Sequence, residues 1–305
     1  MNTTEREYLT AKRTVDDRAL NRRVLDAFAD ALSEIDGDVC ILEAGAGTGT
    51  MLVRLVEWDL LPDSVSYTAV DRDPEHVRTA REQVPRWLSE TGYTVRITGE
   101  GFVARRSHRR LDVRFEIGDV FDLEVADVFD SRATVDAVIA GAFLDLVALP
   151  EAVVQLQKFL DGGILYAPIT FDGLTGFVPA HPADETVIRA YHRHMTERPQ
   201  PGRPDAGRAV LKAVAHADGE VSAAGGSDWI IRPVEGVYPG AEKLVLEHLL
   251  STVVGAVSST SADGFRQTDS PSEQVLSEWE RRRRTQIADG ALTFLAHNLD
   301  VLARL

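Results

Sequence analysis

The sequence predicts an α/β fold built on a largely parallel sheet. Three observations carry that expectation. Val39-Cys40-Ile41-Leu42 is continuously apolar, as a strand covered on both faces must be. The run passes directly into a glycine-rich turn and an amphipathic helix. Strand and helix patterns then alternate at short intervals, which calls for crossover connections.

The elements follow in order. Leu20, Val24, Ala27, Phe28, Ala31, Leu32 and Ile35 recur at helical spacing, so a first helix is expected over 16–35, closed by Asp36-Gly37. After the first strand come a helix at 51–58 and a strand at 65–70 ending in Asp71. Pro74 suits the first turn of the next helix, which Pro85 is expected to end. Over 93–110 the rhythm breaks. Val95 and Ile97, then Phe102-Val103-Ala104, flank Gly99-Glu100-Gly101 and read as a hairpin inserted beside the main sheet. Its outer arm, Arg105, Arg106, His108, Arg109 and Arg110, is strongly basic. Strands resume at 111–117, 135–140 and 163–169, with a helix at 150–160 between the last two.

Beyond Thr170 the chain turns to connectors around Pro179, Pro182, Pro199, Pro201 and Pro204. Helical patterns occupy 184–195, 205–217, 241–257 and 272–288, and strands are expected at 229–233 and 291–297. The Ser/Thr-rich stretch 255–271 reads as a mobile loop. No internal repeat is evident. The expected organisation is one domain over 1–305: a ligand-binding core at about 36–170, a helical cover with the last strands at about 171–305, and the inserted hairpin.

Composition narrows the function classes. The 305 residues carry 33 Lys and Arg against 48 Asp and Glu, a formal charge of −15, and the lysines are only Lys12, Lys158, Lys212 and Lys243. That balance argues against a broad nucleic-acid-coating surface, which needs clustered positive charge. A single cysteine, Cys40, excludes an internal disulfide or a thiolate metal cage. No apolar stretch approaches membrane-spanning length, and the first residues have neither an apolar core nor a small-residue cleavage site, so a soluble, cytoplasmic protein is expected. The acid-rich, lysine-poor surface also suits hydration at high salt.

The loop after the first strand is the main chemical signal. Glycines fall at Gly45, Gly47 and Gly49, so the dinucleotide pattern would need glycine at Thr50 and fails there. Glu43 precedes the loop, where it would repel a pyrophosphate but hold water or a cationic amino group. Asp71 closes the second strand about 20 residues on, where an acid can grip both hydroxyls of a ribose. Together these favour a nucleoside joined to a zwitterion, and S-adenosylmethionine is the common ligand of that kind.

The chain here resembles the class I S-adenosylmethionine-dependent methyltransferases. The motifs run in order over 39–169: Glu43-x-Gly45-x-Gly47-x-Gly49, Tyr67-Thr-Ala-Val70-Asp71, Phe115-Glu-Ile-Gly118-Asp119-Val120, Val135-Asp-Ala-Val-Ile139-Ala-Gly141, and Gly162-Gly163-Ile-Leu165. The resemblance implies a Rossmann-like fold with a mainly parallel seven-stranded sheet, its last strand antiparallel, helices on both faces and a helical C-terminal cover. It implies S-adenosyl-L-methionine as cofactor. Glu43, Gly45, Ala46, Gly47 and Gly49 would meet the methionine part, Asp71 and Arg72 the ribose side, Asp119 and Val120 the adenine, and Gly141, Ala142 and Phe143 the floor beneath the sulfonium. The segments 227–233, 281–286 and 291–300 look similar to a C-terminal region of uncharacterised bacterial and archaeal members.

Methyl transfer from a sulfonium is an in-line displacement, so holding the acceptor in line supplies much of the rate, and a base is needed only where a proton must leave. His181 is the candidate general base and Asp145 the candidate orienting acid, although Asp145 also suits a helix start. Phe171, Tyr191, His194 and Trp229 are the candidate substrate-lining residues. His192 and His194 cannot both face one metal from a regular helix, so no metal site is expected. The run Arg281–Arg284 reads as a solvated helix face. A small-molecule acceptor with an oxygen or nitrogen nucleophile is expected, with oligomeric state open. The rivals are an RNA methyltransferase using the arginine hairpin, a noncatalytic adenosyl-ligand binder and a nicotinamide oxidoreductase. Gly141-Ala142-Phe143-Leu144 stands where base-amine methyltransferases carry an Asn-Pro-Pro-Tyr-like motif, which counts against RNA.

Overall fold

The computed structural model describes residues 7–9, 11–99, 101–129, 133–197, 202–262 and 270–305. Ten strands form one sheet: β1 (Val39–Ala44), β2 (Ser64–Asp71), β3 (Thr94–Ile97), β4 (Gly101–Arg106), β5 (Arg109–Ile117), β6 (Ala137–Ile139), β7 (Ile164–Val178), β8 (Glu220–Gly226), β9 (Trp229–Ile231) and β10 (Thr293–Arg304). Their order is β3-β4-β5-β2-β1-β6-β7-β10-β8, with β9 paired to β10. The run β5-β2-β1-β6-β7 is parallel throughout, and β10 lies antiparallel between β7 and β8. Six core strands, β1, β2, β5, β6, β7 and β10, fall in segments expected to be strands, and the sheet has ten strands among the described residues where seven were expected.

Why β1 is central is visible in its residues. Every position is buried; Val39 and Ile41 join one core while Cys40, Leu42 and Ala44 join the other. Helices α2 (Arg22–Ser33), α3 (Thr50–Glu57) and α4 (Pro74–Glu90) pack on the first face. Helices α5 (Glu151–Gln157) and α7 (Ala206–His216) pack on the second. A third core unites α6 (Asp184–Glu197), α8 (Glu242–Ala262) and α9 (Glu273–Ala288) with the outer parts of β7 and β10. Val15 of α1 (Arg13–Ala19) belongs to it, so the cover recruits the N-terminal helix as well as residues after 171.

Several expectations change. The first helix is two, because the backbone N–H of Asn21 leaves the helix to meet the buried Asp300 carboxylate at 2.8 Å while its side chain caps α2. Pro85 does not end α4; the helix continues and buries Val84, Pro85 and Leu88. The 93–110 hairpin is the edge of the main sheet, β4 pairing with β5 along Gly101–Arg106. The fifth core strand does not stop near 169: β7 runs to Val178, and its outer half pairs with β10, bridges to Asp205 through Asp172, and carries the cover. The remaining core strand is β8, in a segment to which no element was assigned, while Trp229 starts only the short β9. Of the expected mobile loop, 255–262 is helical and 263–269 lies outside the described residues, as do Pro199 and Pro201. Nor is the arginine run wholly solvated: Arg283 is fully buried, bound to Asp184 at 2.6 Å, to the Pro179 carbonyl and to Gln286.

Candidate active site

The chain leaves β1 toward β2 on one side and later returns to β6 on the other. Such a switch point opens a crevice beyond the C-terminal strand ends. A cavity of about 420 Å³ lies there, within the roughly 300–1,000 Å³ of sites that hold small ligands. Glu43, Gly45, Ala46, Gly47, Asp71, Arg72, Asp119, Val120, Gly141, Ala142 and Phe143 all line it. Gly49 does not; it caps α3 from behind, and a Cβ there would meet Val84 at 2.9 Å.

The glycine loop is shaped from within. Gly45 has φ +69°, and a Cβ on it would stand 2.6 Å from the Phe143 ring, so only glycine lets that ring close over the loop. The loop also spends its own donors. Ala46 N–H binds the Val70 carbonyl at 2.9 Å, Gly47 N–H binds the Asp71 carboxylate at 2.7 Å, and Gly49 N–H binds the Ala46 carbonyl at 3.0 Å. Those groups are turned inward, where a phosphate-cradling loop would aim them at its ligand.

Asp71 also accepts the Asp73 N–H at 2.9 Å and approaches His76 Nδ1 at 3.2 Å. Burial opposes its ionisation, but the hydrogen bonds from His76, Asp73 and Gly47 outweigh it and hold the carboxyl below its usual range. Glu43 behaves oppositely. Burial is the dominant influence and pushes it up to about 8, against the Tyr67 hydroxyl that donates to it at 2.7 Å and the nearby Arg54. Asp119 caps the short turn Val120–Asp122 by accepting the Phe121 N–H at 3.1 Å.

The sequence reading missed an ionic wall contributed by helices. Lys12 and Asp16 come from the first helical segment and Arg54 from α3. Arg54 is 2% exposed, and its Nε donates to Asp17 at 2.6 Å. A charge inside the apolar stretch 51–56 was the available signal, since an arginine buried there must be paired.

A second cavity of about 230 Å³ adjoins the first. Both are lined by Ala142 and Ile169, which carry left-handed φ values of 48° and 55°. That conformation is rare for a β-branched residue. Asp145, Phe171, Tyr191 and Trp229 line the second cavity, joined by the unforeseen Tyr8, Met195, His248 and Asn298. Asp145 sits within the short helical turn Leu144–Leu146. His194 opens instead into a neighbouring recess of about 290 Å³ shared with Tyr191.

His181 lines neither cavity. The extension of β7 carries it away, and it is used in the turn before α6: its N–H donates to Asp184 at 2.8 Å and its Nδ1 accepts from the Ala183 N–H at 3.1 Å. The arginine arm is also remote. Arg110 pairs with Ser64, whereas the cavity opens at Asp71 at the other end of β2, roughly 23 Å away at strand spacing. Arg109 pairs with Asp59, His108 with Asp63 and Arg110 with Asp112.

Among the described residues no cluster of three or more His, Cys, Asp or Glu could hold a metal. No described helix is long and apolar enough to cross a membrane. No protein-family model matches the sequence, and no curated protein matches it. Solved structures with a similar layout include a putative methyltransferase from Bacillus halodurans (14% identity, 92% of this chain and 97% of that one, TM-score 0.49). Another is an S-adenosylmethionine-dependent methyltransferase from Thiobacillus denitrificans bound to S-adenosyl-L-homocysteine (14%, 93% and 92%, 0.44). A third is the [4+2]-cyclase SpnF (17%, 92% and 80%, 0.43). At these identities and scores the likeness does not extend to site residues or substrates.

Proposed function

We propose that the chain is an S-adenosylmethionine-dependent methyltransferase acting on an oxygen or nitrogen of a small-molecule acceptor. The observation that carries this is the inward use of the loop donors beside a fixed Asp71. With Ala46, Gly47 and Gly49 N–H groups engaged inside the protein, the loop is poorly equipped for a pyrophosphate. Asp71 stays ionised for a diol, Lys12, Arg54 and Asp16 supply both signs of charge for a zwitterion, and Glu43 adds a carboxyl that a ligand cation would ionise. A nucleoside joined to an amino acid answers that set better than a dinucleotide does.

In this reading Asp71 holds the ribose, Asp119 and Val120 border the adenine, and Gly141, Ala142 and Phe143 lie under the sulfonium. Lys12 and Arg54 face the carboxylate, and Glu43 and Asp16 the ammonium. Bound S-adenosylmethionine supplies an electrophilic methyl group. Ala142 and Ile169 form the passage to the second cavity, where Asp145 and the aromatic walls position the acceptor. A purely ligand-storing protein has no use for such an adjoining cavity, and the RNA reading loses its arm to distance. His181 has no part in this proposal.

Isothermal titration with S-adenosyl-L-homocysteine tests the cofactor, and uptake of labelled methyl by an extract of small metabolites tests the reaction. No binding by the folded protein rejects the proposal.

A further inference from the structure

The second cavity has a chemistry of its own. Its walls include the aromatic side chains Tyr8, Phe171, Tyr191, Trp229 and Phe294. No lysine or arginine occurs among the described residues that line it, and Asp145 contributes a carboxylate. An anionic ligand would lose its hydration there with no lysine or arginine on the lining to receive it. A cation fares little better at the Trp229 end, because the Lys12 ammonium already stands 5.1 Å over that ring.

Size and rigidity narrow the choice further. A dry cavity of roughly 150 Å³ accommodates benzene, so about 230 Å³ suits one substituted ring or two fused ones. The walls are braced by contacts with one another and with His192 behind them. Tyr8 stacks on His248 at 3.9 Å and 18°, and Phe171 meets His192 edge-on at 5.5 Å. The His192 Nε2 is tied to the Thr175 hydroxyl at 3.0 Å. Rings held this way need little ordering when a flat ligand enters. The Tyr8 hydroxyl is kept protonated by burial first, then by Asp16 and Asp145, so it serves as a donor.

We infer that this cavity binds an uncharged aromatic molecule of one or two rings, with the atom to be methylated turned toward Ala142 and Ile169. The fate of that ligand rests on the methyl-transfer reading; its binding does not.

Fluorine NMR titration of the full chain with 4-fluorophenol, 4-fluorobenzoate and 4-fluorobenzylamine, an ammonium at neutral pH, tests the assignment. The phenol should bind saturably and the two charged probes about tenfold more weakly or worse. Thr252→Trp, which fills the cavity, and Trp229→Ala, which removes a wall, should each weaken phenol binding about tenfold. Thr252→Trp should leave S-adenosyl-L-homocysteine affinity, read by calorimetry, essentially unchanged. Circular dichroism confirms that each variant is folded. Equal or tighter binding of either charged probe, no binding of any probe, or phenol binding that both variants leave intact overturns the inference. Absent S-adenosyl-L-homocysteine binding with phenol binding preserved would sink the methyl-transfer reading and leave this one standing.

Discussion

The backbone N–H of Gly47 donates to the Asp71 carboxylate at 2.7 Å, joining the glycine loop after β1 to the end of β2. One side chain thus fixes the loop and offers its remaining lone pairs to a ligand. Replacing Asp71 by Ala should weaken S-adenosyl-L-homocysteine binding by roughly tenfold to a hundredfold, the range for hydrogen bonds to a charged group. Calorimetry on both proteins checks this, and unchanged affinity would remove Asp71 from the site. Because its carboxyl is held below the usual range, Asp71 should impose no titration on binding near neutral pH.

A buried carboxylate anchors Ile169, which lines both cavities. Asp300 is fully buried and accepts the N–H of Ile169 at 2.7 Å and of Asn21 at 2.8 Å. Burial raises its pKa. Without it, the left-handed Ile169 and the break between α1 and α2 both lose their partner. Asp300→Ala should destabilise the protein by about 2–4 kcal/mol, two orphaned N–H groups at about 1–3 kcal/mol each less the relief of a buried charge. Urea unfolding measures it; a loss below about 0.5 kcal/mol, the usual size of a surface substitution, would mean these bonds are dispensable.

The cover should depend on one buried ion pair. Arg283 is enclosed, lies 5.0 Å over the Phe177 ring, and binds Asp184 at the start of α6. Removing the arginine leaves a carboxylate that is 16% exposed with only the Trp279 and His181 N–H donors, so Arg283→Ala should cost about 2–3 kcal/mol, less than breaking a fully buried pair. Hydrogen exchange should show α6 and α9 opening before β1 and β2. Uniform loss of protection across the chain would contradict that order.

Local signals and distant ones fared differently. The β1 run and its glycine turn were readable because a buried parallel strand and a sharp loop each dictate residue type locally, and Asp71 and Asp119 followed at strand ends. The break at Asn21 was hidden because its cause, Asp300, lies at the other end of the chain. β8 was missed because Glu220–Gly226 offers small residues and only one buried position, Ala223. His181 looked catalytic because β7 was expected to end near 169, which would leave the chain after it at the strand end beside the cavity, whereas β7 runs on to Val178. The second cavity gathers positions 8, 145, 171, 191, 229 and 248 from separate elements. Four of these drew notice by residue type, but Tyr8 and His248 meet only in three dimensions.

Glu43 should make both stability and ligand binding depend on pH. Its ordinary value is 4.5 and burial pushes it up to about 8, so between those pH values the folded chain holds a proton that the unfolded chain releases. Stability therefore falls as pH rises through that window and the effect vanishes below it. Glu43→Gln removes the titration while keeping an oxygen for the Tyr67 hydroxyl. The variant should gain on the wild type between pH 5 and pH 8, by a few kcal/mol at most given roughly 1.4 kcal/mol per pKa unit. A ligand ammonium beside Glu43 favours the carboxylate, so binding at neutral pH should release up to about one proton, in line with linkage. Calorimetry in buffers of different ionisation enthalpy reads that release directly. If Glu43→Gln releases as many protons as the wild type, another group is responsible and Glu43 does not meet the ligand's cation.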